Sequence, residues 1–216
     1  MMKRISLILF SLMMCMCSYA QDETMSIDDV LNACIALQEA DANNDSIAMR
    51  QAADSLRAQK STSFTSLRCK DDSIQSLNGH FVFNDVFIDS LMAGANPYDN
   101  ADNINRSTTH RGQTASGSIL TKTCMVKAGK STKYSFASRG RQELAVVAEA
   151  GGLVTMKIHV TNTAGFDKWF SDTVDVKKGR PHRKTAFDLP QNRRNTVELE
   201  VVNCGQKDIS FVIISN

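Results

Sequence analysis

Thr155-Met156-Lys157-Ile158-His159-Val160-Thr161 alternates apolar and polar side chains without a break, and Val197-Glu198-Leu199-Glu200-Val201 does the same. Successive side chains of a β-strand point to opposite faces, so this alternation marks strands with one buried and one wet face. Working outward, further strand segments are read at Ile119–Val126, Thr132–Ala137, Glu143–Ala150, Lys168–Val176, Lys184–Leu189 and Asp208–Ser215, with Gly, Asn or Pro turns between them. Short strands at this spacing predict an antiparallel β-sandwich of jelly-roll type.

The chain before them follows a different period. Ser26 and Asp29 make a capping-box start for a helix over residues 26–41, with Ile27, Val30, Leu31, Cys34 and Ile35 at helical spacing. A second helix is predicted over 45–60, with Met49, Ala52, Ala53 and Leu56 on one face, so the two form an antiparallel hairpin. Over 61–95, Phe81, Val82, Phe83, Val86, Phe87 and Ile88 predict a short extended piece running into a helix that ends near Gly94. The stretch 96–117 is rich in Asn, Asp, Ser, Thr and Gly and reads as a linker. The expected fold class is therefore α+β: a helical module at 21–95, a polar linker at 96–117 and a β-sandwich domain at 118–216.

Residues 1–20 read as a cleavable export signal. Lys3 and Arg4 precede an apolar run from Ile5 to Cys17, and Ser18-Tyr19-Ala20 places small residues before a cleavage point at Gln21. The apolar run is shorter than the ~20 residues a membrane-crossing helix needs, so no transmembrane anchor is expected. Lipidation at Cys15 is disfavoured by the bulky Met13 and Met14 before it. The expected location is the periplasm, the outer surface or the extracellular space. Residues 21–109 carry six Lys/Arg against fourteen Asp/Glu, a net of −8, whereas 110–216 carry seventeen against nine, a net of +8. Two regions of opposite sign are expected to attract each other. After cleavage four cysteines remain, Cys34, Cys69, Cys124 and Cys204. Export permits disulfides, and pairing Cys34–Cys69 and Cys124–Cys204 keeps each bond within one region; four free thiols are the competing expectation.

Val126-Lys127-Ala128-Gly129-Lys130-Ser131-Thr132-Lys133-Tyr134-Ser135-Phe136 resembles the opening of a bacterial pre-peptidase C-terminal-type domain. Asn195–Asn203 and Ile209–Ser215 are similar to that family's last two strands. The likeness spans about 100 residues and lies in the strand pattern. It implies a non-catalytic jelly-roll accessory module of secreted proteins, and hence an accessory or inhibitor-like partner of a secreted hydrolase as an alternative to a free-standing binding protein.

Candidate chemistry is sparse. The histidines His80, His110, His159 and His182 share no metal-type spacing with one another or with a cysteine, and no nucleophile-elbow pattern occurs. Neither a catalytic residue, a metal site nor a cofactor is expected. Asp41-Ala42-Asn43-Asn44-Asp45 begins like a calcium loop, but Ser46 and Ala52 stand where Gly and a bidentate carboxylate are required, so a capped helix–helix turn is the better reading. The basic run Lys177, Lys178, Arg180, Arg183 and Lys184 has three readings: a landing site for an anionic ligand, solvated strand ends, or a surface docking on the acidic helices. Nucleic acid is not expected as a partner; a glycan or a protein is. Trp169 and Phe166 are either core aromatics or a stacking platform for a sugar. Asp45-Ser46-Ile47, Asp54-Ser55-Leu56, Asp72-Ser73-Ile74, Asp89-Ser90-Leu91 and Asp172-Thr173-Val174 resemble O-glycosylation acceptors of exported bacterial proteins, with helix capping as the alternative.

Overall fold

The computed structural model describes residues 26–58, 65–66, 80–100, 119–138, 140–171, 179–190 and 193–216. The signal segment, most of the linker, Cys69, Lys177 and Lys178 lie outside the described residues.

Local chemistry sets each helix boundary. Helix α1 (Ile27–Ala42) opens on a reciprocal capping box: Asp29 N–H donates to Ser26 Oγ at 3.2 Å, and Ser26 N–H donates to Asp29 Oδ2 at 3.0 Å. The Ser26 hydrogen bonds hold the Asp29 carboxyl below the usual carboxylate range. Helix α2 (Ser46–Ala58) is capped by Asp45, whose Oδ1 accepts from Ile47 N–H at 3.1 Å and Ala48 N–H at 2.9 Å. The turn between them places Asn44 at φ 53°, so the calcium-like stretch is the capped connection expected of it. An extended segment at 81–83 leads into α3 (Asp85–Met92), where Asn84 Oδ1 accepts from Phe87 N–H at 2.9 Å. A 3₁₀ turn follows at Pro97–Asn100.

The remaining elements are β1 (Thr65–Ser66), β2 (Leu120–Val126), β3 (Ser131–Ser138), β4 (Arg141–Ala148), β5 (Val154–Asn162), β6 (Asp167–Ser171), β7 (His182–Asp188), β8 (Asn195–Asn203) and β9 (Ile209–Ser215). One sheet has the order β1-β2-β9-β4-β7 and the other β3-β8-β5-β6. Apart from β1, which pairs parallel to β2, all neighbours are antiparallel, and the interleaving of early and late strands is that of a jelly roll. The two-residue β1 carries no alternation and was not legible in the sequence.

The two sheets differ in what covers them. Leu144, Val146, Phe211 and Ile213 of the five-stranded sheet face Ile158, Val160, Leu199 and Val201 of the other across the sandwich core. On the opposite face of the five-stranded sheet, Ala145, Val147, Val212 and Ile214 form a second core with Leu37, Leu56, Phe83, Phe87 and Ile88. β9 is therefore buried along its whole length, with an unbroken apolar run at 211–214 between Ser210 and Ser215, while β5 and β8 alternate. Polar contacts pin the second core in place. Glu149, just past β4, accepts from His80 Nδ1 at 2.9 Å and Ser210 Oγ at 2.9 Å, so one carboxylate ties the 80–83 segment to the sheet. Lys184 Nζ on β7 donates to Asp28 of α1 at 2.8 Å and pairs with Glu143 of β4 at 2.9 Å.

Cys124 and Cys204 are not joined in a disulfide, which corrects the pairing expected within the sandwich. The reason is strand alternation. Asn203 takes the inward position at the end of β8 and donates to Val126 O at 3.3 Å, which turns the next residue, Cys204, outward. Cys124 faces Phe211 across β2 and β9 inside the sandwich core. Cys34 is a free thiol in the helical core, where burial pushes its pKa up; its proposed partner, Cys69, lies outside the described residues.

Two outcomes follow. Alkylation of the native protein, mapped by peptide mass spectrometry, is expected to label Cys204 and to reach Cys34 and Cys124 only in denaturant. Phe87 is fully buried between the edge-on rings of Phe81 and Tyr98, at 5.5 and 5.7 Å. Phe87→Ala is expected to cost ~3–5 kcal/mol in denaturant unfolding.

Candidate functional site: the open face of the four-stranded sheet

The outer face of the β3-β8-β5-β6 sheet carries Lys133, Lys157, His159, Glu198 and Glu200, and at its β6 edge a large aromatic. There, on β6, Trp169 is 65 % exposed. Register sets it opposite His159 of β5, and His159 in turn opposite Glu198 of β8. The imidazole and indole stack with centroids 4.3 Å apart and planes 8° from parallel. His159 Nε2 donates to Asp167 Oδ1 at 2.8 Å, and Nδ1 lies 3.5 Å from Glu198 Oε2. The hydrogen bond to Asp167, seconded by Glu198, holds the His159 pKa above the usual imidazole value against the opposing effect of burial.

This geometry fixes Trp169 without burying it. His159 covers one face of the indole, and β6 is the outermost strand of its sheet, so the other face is turned to the sheet edge. Trp169 is thus exposed with one ring face covered, while the neighbouring aromatics serve the interior. Phe170 stacks on Phe187 of β7 at 4.8 Å, and Phe166 packs half-buried against the sandwich core, with Lys168 Nζ 5.4 Å from its ring centroid.

The basic run does not join this stack. Arg183, expected at a ligand surface, is 3 % exposed: it lies opposite Val146 in the β4–β7 register and so faces the sandwich interior. Lys184, one residue on, points to the other side and is spent on Asp28 and Glu143, the docking role among the three readings. Arg180 is exposed but bridges Val154, five positions along β5 from His159, about 16 Å at ~3.3 Å per residue. The Asp-Ser-aliphatic tripeptides also separate. Ser55 and Ser90 donate to helical carbonyls and Leu56 and Leu91 are buried, whereas Asp45-Ser46-Ile47 caps α2 with Ser46 and Ile47 exposed. The other two lie outside the described residues.

The contributions of Asp167, His159 and Glu198 went unread in the sequence. The signal for two of them was present: His159 and Glu198 occupy the polar phase of the two alternating strands, and only their register brings them side by side.

No family model matches the chain, and no curated protein does. Among solved structures it is similar to the mitogen of Yersinia pseudotuberculosis, at 8 % identity over 45 % of this chain and 84 % of that one, with a TM-score of 0.33. TmCBM61, solved in complex with β-1,4-galactotriose, matches at 11 % identity over 43 % of this chain and 68 % of that one, with a TM-score of 0.27. PliG of Salmonella Typhimurium, a periplasmic lysozyme inhibitor, matches at 15 % identity over 45 % of this chain and 89 % of that one, with a TM-score of 0.28. Similarity at this level leaves the function to be argued from the residues of the site.

Trp169 is the single tryptophan, so intrinsic fluorescence reports on this stack alone. Its emission is expected to titrate with a midpoint above the ordinary histidine value of about 6.5. Asp167→Asn is expected to lower that midpoint and His159→Gln to abolish the transition. The sign for stability follows from the raised value: the contribution of His159 is complete below its unfolded-state pKa and is lost as pH rises through the folded one.

Proposed function

We propose that this is an exported, non-catalytic binding protein whose contact surface is the outer face of the four-stranded sheet, centred on Trp169. The observation that carries the reading is the exposed indole held rigid by a parallel imidazole between two carboxylates. A large aromatic in this position gains nothing from the fold's interior, and fixing its rotamer in advance lowers the entropy lost on binding. Export is supported by the signal-like segment 1–20, and no helix among the described residues is long and apolar enough to cross a membrane. The ligand classes that suit such a surface are a glycan, another envelope component or a partner protein. The last would make the chain an accessory or inhibitor-like subunit of a secreted hydrolase, as the resemblance in strand pattern implies.

Fluorescence titration of the purified chain with fractionated envelope polysaccharide and envelope protein tests this. A ligand is expected to shift Trp169 emission, and Trp169→Ala is expected to weaken its binding at least thirtyfold, ~2 kcal/mol, the size of an interface hot spot. Because the side chain is exposed, the same substitution is expected to change unfolding stability by less than about 0.5 kcal/mol. Undiminished binding by Trp169→Ala would move the contact surface elsewhere.

A further inference from the structure

Resting on the reading of this face as the contact surface, we propose that its ligand is an uncharged, hydroxyl-rich glycan segment. One sugar ring stacks on the indole face that His159 leaves open, and Asp167, on the same strand as Trp169, accepts its hydroxyls.

The charges on the face select this class. Asp167, Glu198 and Glu200 project from it beside Lys133, Lys157 and His159, in cross-strand rows that pair Lys133 and Lys157 with Glu200 and His159 with Glu198. With the imidazole protonated the set is balanced, and no field of one sign develops to attract a polyion. An anionic glycan stacked on Trp169 would meet Asp167, whose side chain is 68 % exposed. The lysines of the face, Lys133 and Lys157, each stand opposite Glu200, Lys184 is held by Asp28 and Glu143, and Arg183 is inside the sandwich. A cationic ligand fares no better, since His159 already stands between the two carboxylates nearest the indole.

A neutral polyol meets none of these costs. Asp167 keeps a second oxygen beyond the one directed at His159, and a carboxylate hydrogen-bonded on one side accepts from a hydroxyl on the other. The axial C–H face of a pyranose is flat and weakly apolar and matches an indole standing upright on a sheet. His159 acts here as a positioning residue: it sets the indole angle and turns one oxygen of Asp167 away.

Affinity electrophoresis of the full chain through gels containing defined polysaccharides separates the outcomes, with Trp169 emission as the second readout. The neutral set is β-glucan, galactan, mannan and xylan; the anionic set is polygalacturonate, alginate and heparin. Retardation by at least one neutral polymer is expected, unchanged between low and high salt, with none by the anionic set. Trp169→Phe is expected to retain part of the retardation and Trp169→Ala to lose it. Asp167→Ala, confirmed folded by circular dichroism, is expected to weaken it about tenfold. His159→Gln is expected to weaken binding and flatten its pH profile, which a merely structural residue would not do. Salt-sensitive binding of an anionic polymer through Trp169 would overturn the ligand class while leaving the contact surface standing. So would binding through Trp169 to an envelope protein with none to the neutral polymers. If neither polysaccharide nor envelope protein perturbs Trp169, the class and the surface both fail.

Discussion

The five-stranded sheet must be covered twice, and the rest of the structure depends on that. Val146, Phe211 and Ile213 face the second sheet while Val147, Val212 and Ile214 face the helices, so β4 and β9 have no side that tolerates water. The helices are consequently not an appendage. Their apolar faces and that of the sheet complete one another, and burial of this surface at ~25 cal/mol per Å² is the main term favouring the docked arrangement. Glu149 and Lys184 add direction to a contact that hydrophobic burial alone would leave free to slide.

Most of this organisation was legible in the chain. Alternation identified β5 and β8, and capping chemistry at Ser26 and Asp45 marks the first two helix starts, whereas the Asn84 cap of the third was found only in the structure. The difference between alternating and continuous apolar strands also carries the distinction between a sheet with one wet face and a sheet with none. What could not be read is what depends on register. Nothing local distinguishes Arg183 from Lys184, yet one residue of phase sends the first into the sandwich and the second to Asp28. The same phase separates Asn203 from Cys204 and removes the expected disulfide. Charge is conspicuous in sequence, so the basic run stood beside Trp169 and Phe166 as a candidate ligand surface, with solvated strand ends and docking on the helices as its alternatives. A stack between residues on adjacent strands is not conspicuous.

The charge asymmetry acquires a definite meaning from these contacts. An acidic region of −8 and a basic region of +8 meet where Lys184 reaches Asp28, and the cation invested there is unavailable to an external anion. Self-association of the two regions thereby leaves the open sheet, where opposite charges are interleaved, as the surface least committed to the fold.

The shared helical core has a consequence for how this sandwich can be used. Jelly rolls covered only by each other's sheets can be cut out and attached to unrelated partners, because both outer faces are already wet. Here severing the chain in the polar linker would strip Ala145, Val147, Val212 and Ile214 of their cover and present an apolar, positively charged sheet to water. The sandwich is thus bound to its own helices: neither part buries its apolar face without the other, so the two must be moved, truncated or grafted as one piece.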